Sequence, residues 1–167
     1  MRPEGNALLT QWRTTPVVVD WNQDGLNDLL MLDHEGYLTL FPRSKRGARR
    51  QLHEPQRIFE MDNPFGYVRL NSRTAGGSGR RKLCVTDWDG DGRLDVLANS
   101  SNAEFWQNIA DREGMFKLSN RGTLFKRNIS SHTTSPTVVD WNGDKVPDLL
   151  VGAEDGFLYY GRNPRKP

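Results

Sequence analysis

Residues 82–98 read KLCVTDWDGDGRLDVLA, and the same register returns twice, as PVVVDWNQDGLNDLLML at 16–32 and PTVVDWNGDKVPDLLVG at 136–152. The three stretches align without a gap. Their leading aspartates, Asp20, Asp87 and Asp140, lie 67 and 53 residues apart, a period of the order found in stacked repeat units and propeller blades. Each copy opens on an apolar, mostly β-branched run, passes through an acidic loop, and resumes as DLLML, DVLA or DLLVG. In the first and third copies a Gly-containing turn follows, DHEG at 33–36 or AEDG at 153–156, and then an alternating aromatic strand, YLTLF or FLYYG. That order predicts a three-strand meander per copy. Further strands are expected at RIFEM (57–61), YVRLN (67–71), EFWQN (104–108) and GTLFKRN (122–128).

No window has a capped helical period, so the expected fold is all-β: about three four-stranded antiparallel units of propeller-blade type. The units span about 14–62, 80–128 and 134–163 of a single domain covering 1–167. Three units are too few to close a ring. Residues 1–13, with NALLTQW at 6–12, are expected to supply a strand that completes a blade, and a homo-oligomer completing the propeller is one expected assembly.

The aspartate loops point to a cation. Counted from the first Asp, positions 1, 3, 5 and 9 are Asp20, Asn22, Asp24 and Asp28, then Asp87, Asp89, Asp91 and Asp95, then Asp140, Asn142, Asp144 and Asp148. Backbone carbonyls at position 7 (Leu26, Arg93, Val146) are expected to join them. Hard, all-oxygen donors select calcium over zinc or copper, and two to three structural ions are expected. Carboxylates about 4 Å apart repel by about 4 kcal/mol per pair at an effective dielectric near 20, so an ion reverses the sign of the local energy. Gly25 and Gly92 at position 6 permit the sharp turn such a loop needs. An EF-hand needs Glu at position 12, where this chain has Met31, Ala98 and Val151. The tryptophans at position 2, Trp21, Trp88 and Trp141, are read as wedges between neighbouring blades, and Trp12 and Trp106 as packing residues.

The motif D-x-[DN]-x-D-G-x-x-D at 20–28 and 87–95 resembles that of FG-GAP or VCBS repeats, the calcium-loop blades of secreted bacterial β-propellers, and is similar to integrin α-subunit propellers. The resemblance covers most of residues 14–163 and implies a secreted, cell-surface or periplasmic location. The third copy departs from it, with Lys145 in the glycine position. A side chain there costs about 1 kcal/mol if φ is positive and brings a cation toward the ion, so the third site is expected to be the weaker.

The chain's 167 residues carry a formal charge of +2, with ten of 14 Asp in the three loops and 17 Arg among 23 basic residues. No apolar run is long enough for a membrane span, and the N-terminus lacks a signal-peptide pattern. Cys84, the one cysteine, sits in an apolar run and reads as a small buried hydrophobe. Arg clusters at RSKRGARR (43–50) and SGRRK (78–82) read as loop-like stretches suited to acidic groups, with Arg46, Arg49, Arg50, Arg80, Arg81 and His132 as candidate ligand-binding residues. The three histidines are scattered and form no recognisable catalytic motif, so the expected function is a non-catalytic binding or scaffold module for glycans or proteins at the cell exterior. The alternatives are a half-propeller that self-assembles and, as the resemblance alone implies, part of a uronate-polysaccharide lyase in which groups such as Arg73, Tyr67 and His132 would serve. Nucleic acid is the weakest partner class, since no base-reading element accompanies the basic patches.

Overall fold

The computed structural model describes residues 10–62, 66–72, 81–111, 116–129 and 133–166, and they form thirteen strands and no α-helix. Among these residues no helix is long and apolar enough to cross a membrane. The chain divides into two units, Met1–Ile58 with Arg69–Arg80, and Phe59–Val68 with Arg81–Pro167.

In the first unit, β1 (Val17–Val19), β2 (Asp28–Leu32) and β3 (Leu38–Phe41) form an antiparallel sheet in chain order. The continuous apolar run of β2 is that of a strand covered on both faces: Leu30, Met31 and Leu32 are all buried, with Leu38, Leu40 and Phe41 beside them on β3. The turn between β2 and β3 is held by Asp33, whose Oδ1 accepts the amides of Glu35 and Tyr37. Arg57 pairs with Asp33 at 2.6 Å and stacks on Tyr37.

The Arg-rich stretch, expected to be a loop, is instead a hairpin. β4 (Arg43–Arg46) pairs with β5 (Arg49–Leu52) around the two-residue turn Gly47–Ala48. A two-residue connection with Gly at positive φ (61°) matches the twist of paired strands. That turn overrides the poor strand propensity of the flanking cations.

The second unit holds two blades. In one, β7 (Leu83–Thr86), β8 (Asp95–Asn99), β9 (Ala103–Asn108) and β10 (Phe116–Thr123) run antiparallel, and β6 (Phe59–Met61) adds a fifth strand parallel to β10. β10 starts earlier than GTLFKRN suggested, and residues 124–128 lie outside it. Its ladder shifts register between Asn120 and Thr123, and that bulge lets the strand end there. YVRLN makes only single bridges, Glu60 with Tyr67 in this unit and Tyr37 with Arg69 in the other. The other blade is the three-stranded sheet of β11 (Thr134–Val139), β12 (Asp148–Ala153) and β13 (Leu158–Gly161). Of the N-terminal strand expected at 6–12, residues 1–9 lie outside the described residues, and Thr10 bridges Asp33.

The two blades of this unit share a core. Trp88, Leu97, Ala103, Leu149 and Val151 are buried together, with Cys84, Phe105, Val138 and Tyr159 packed around them. Each fully buried aliphatic side chain contributes about 1.5–3 kcal/mol. Cys84, expected to be buried, is half-buried against this core, and that burial pushes its thiol pKa up. Asn99, which heads an N-x-[ST] sequence, is buried and bonded to the Lys82 amide and Thr133.

The position-2 tryptophans do not share one role. Trp21 and Trp88 are buried, and Trp88 lies between two blades, but Trp141 is 62% exposed. Trp88 has the third blade packed over it, and Trp141 has no such cover. Trp106 is buried, while Trp12 is exposed with the Arg13 guanidinium 4.0 Å above its ring.

Candidate functional site

The three aspartate loops adopt one backbone geometry. The position-1 carboxylate accepts the position-6 amide in every copy: Gly25 to Asp20 at 2.9 Å, Gly92 to Asp87 at 3.1 Å, Lys145 to Asp140 at 3.0 Å. The position-3 oxygen accepts the position-5 amide, from Asp24 to Asn22, Asp91 to Asp89 and Asp144 to Asn142. Position 5 accepts the position-7 amide, from Leu26, Arg93 and Val146. Side chains spaced by two thus turn the chain around a common centre through local Asx-type bonds.

Position 6 needs a left-handed backbone, with φ of 83° at Gly25 and 87° at Gly92. Lys145 adopts the same region at 66° and keeps the same amide bond, so the substitution strains the third loop without dismantling it. Lys145→Gly is expected to raise the melting temperature by about 2 °C through relief of about 1 kcal/mol or less of strain. A lower melting temperature in a calorimetric scan would show instead that the lysine side chain stabilises the loop.

The position-9 aspartates Asp28, Asp95 and Asp148 are fully buried and begin the strands after the loops. In each, Oδ1 accepts a backbone amide from the segment leaving the third strand: Arg43 at 2.7 Å, Asn108 at 2.8 Å and Asn163 at 2.9 Å. Their second oxygens differ. Asp95 Oδ2 accepts the Trp88 amide at 2.9 Å, and Asp148 Oδ2 accepts the Tyr160 hydroxyl at 3.0 Å. Asp28 Oδ2 is buried and makes no hydrogen bond. Burial raises the Asp28 carboxyl above its ordinary pKa, against the amides of Arg43 and Trp21, and Asp24 and Asp20 add repulsion. Burial likewise pushes Asp95 up to about 6, against the amides of Asn108 and Trp88, with Asp89 and Asp91 raising it further.

A buried carboxylate oxygen without a partner is a costly group that a cation satisfies. In the second loop, carboxylate oxygens of Asp87, Asp89 and Asp95 lie within 4.8 Å of one another. Asp91 lies outside that group and pairs with Arg93. The donor set is all oxygen, so the residues present fit a hard cation.

Two asparagines escaped the reading of the sequence. Asn108 and Asn163, 13 and 15 residues after their position-9 aspartates, donate their amide N–H there and also bond Nδ2 to the position-8 carbonyls, Leu94 and Pro147. Each Oδ1 then accepts the amide two residues on, Ala110 or Arg165. Asn163 Nδ2 further donates to the Trp88 carbonyl at 2.9 Å, joining the third loop to the second. Arg165 lies 3.8 Å from Asp87, and Arg162 is 3.3 Å from Asp144.

The candidate ligand residues separate. Arg46, Arg49 and Arg50 are exposed on the β4–β5 hairpin, where Lys45 faces Arg50 and Arg46 faces Arg49. None of these four has an acidic partner among the described residues. Arg81 is drawn into the fold, donating to the Asn99 carbonyl at 2.6 Å. Arg80, Arg73 and His132 lie outside the described residues, and Tyr67 is exposed.

Residues 87–151 match the family model of an FG-GAP-like repeat. That stretch holds the second and third loops and the strands between them, and the first copy repeats their bonding outside it. Comparison with curated proteins and with solved structures gives no match.

Proposed function

We propose that this chain, which carries an FG-GAP-like repeat over residues 87–151, is a calcium-binding, propeller-type module of the cell exterior that binds acidic glycans without acting on them. The metal half of this reading rests on the unpartnered buried oxygen of Asp28. Asp20, Asn22, Asp24 and Asp28 would hold the first ion, Asp87, Asp89, Asp91 and Asp95 the second, and Asp140, Asn142, Asp144 and Asp148 the third. Carbonyls of Leu26, Arg93 and Val146 would complete the sets. The ion supplies positive charge that offsets carboxylate repulsion and stiffens each loop. Titration of the chelator-stripped chain with calcium, followed by calorimetry, is expected to give two to three ions per chain, and no heat of binding would remove this half of the proposal.

The ligand half rests on the hairpin. Cations placed directly opposite one another across a strand pair destabilise it by up to about 1 kcal/mol each, so the arrangement is favoured where an anionic partner neutralises it. Arg46→Glu with Arg50→Glu is expected to weaken binding to a uronate polysaccharide at least tenfold, with binding by the native chain falling as salt rises. Equal binding by both proteins would discard the hairpin as the site. Growth of ultraviolet absorbance from an unsaturated product during the same incubation would favour the lyase reading instead.

A further inference from the structure

The third blade exposes a copy of a face that is covered on the second. Strand register places Trp141, Leu150, Leu158 and Tyr160 where the second blade has Trp88, Leu97, Ala103 and Phe105. Those second-blade residues lie in the shared core, with β11 against β7, β8 and β9. Trp88 is 7% exposed, whereas Trp141 and Leu158 are 62% and 64% exposed. The Trp141 and Tyr160 rings stand 6.4 Å apart on this open face. Aromatic and aliphatic side chains grouped in this way mark an interaction surface.

The chain also carries the complementary half. Val138 of β11 packs onto the core around Trp88. Aligned on Asp20 and Asp140, the equivalent residue of β1 is Val18, and it is 62% exposed. We propose that a second copy of this chain docks its β1 strand, through Val18, onto the Trp141–Leu158–Tyr160 face. The contact repeats between chains the packing that β11 makes within one. It is head-to-tail: one patch meets a different patch, and closure of the assembly depends on the rotation between copies.

Light scattering of the full chain at tens of micromolar is expected to give particles heavier than one 19.1 kDa chain. Trp141→Asp and Val18→Asp are each expected to yield monomers, weakening association roughly thirtyfold or more, the size of a hot-spot loss. Leu158→Asp, which lies outside the aspartate loop, is expected to do the same, with an unchanged circular dichroism spectrum showing that each variant folds. Mixing the Trp141→Asp and Val18→Asp chains leaves one intact pair of patches, so association is expected to return. A monomeric native chain overturns the proposal. So does an oligomer that survives Trp141→Asp and Leu158→Asp, a mixture that stays monomeric, or a Val18→Asp chain that still associates, which would mean that the face pairs with its own copy.

Discussion

Stripping calcium with a chelator is expected to lower the melting temperature by about 10 °C or more. An ion at 100 times its dissociation constant stabilises the folded chain by about 2.7 kcal/mol per site, so two to three sites give about 5–8 kcal/mol. For a chain of this size each kcal/mol moves the midpoint by about 2–4 °C. The effect reaches beyond the loops because their position-9 carboxylates begin β2, β8 and β12, the central strands of the three antiparallel meanders. Without the ion, carboxylate oxygens of Asp87, Asp89 and Asp95 face one another within 4.8 Å, and Asp28 keeps a buried oxygen without a partner. Differential scanning calorimetry with calcium and with chelator checks this, and superimposable traces would refute calcium as the structural ion.

Asp95→Ala is expected to destabilise the unit that holds it by about 3–5 kcal/mol, a fall of about 10 °C in its transition. The side chain accepts two amides, Asn108 on Oδ1 and Trp88 on Oδ2, at a fully buried position. Alanine leaves both donors unsatisfied and removes a proposed ion ligand. Measuring the variant in chelator isolates the first effect: a loss that persists there belongs to the amide bonds. A loss seen only with calcium would mean that Asp95 acts through the ion alone. Asp91→Ala serves as the contrast, since Asp91 sits at the surface of the same loop and anchors no distant strand.

The loops were legible because their bonds are local. Positions 1, 3 and 5 close onto amides two to five residues away, so spacing in the sequence is spacing in space. The anchor from position 9 was harder to see because the donor is a backbone amide, supplied by Arg43 in one copy and by Asn108 or Asn163 in the others. A backbone donor leaves no side-chain signature in the first copy, and the distance along the chain is 13 residues in one and 15 in two. The Arg-rich hairpin was misread because charge argues against a strand, whereas a two-residue turn decided it. Trp141 shows the limit of repetition itself. Its sequence context matches that of Trp88, but burial depends on what packs over a residue, and nothing in the local sequence specifies that.

One carboxamide, that of Asn163, spans two neighbouring loops, bonded at once to the Trp88 and Pro147 carbonyls. A shift in either loop therefore changes the geometry available to the other. If both loops hold ions as proposed, filling one changes the affinity of the other, and thermodynamic reciprocity requires the same factor in the opposite direction.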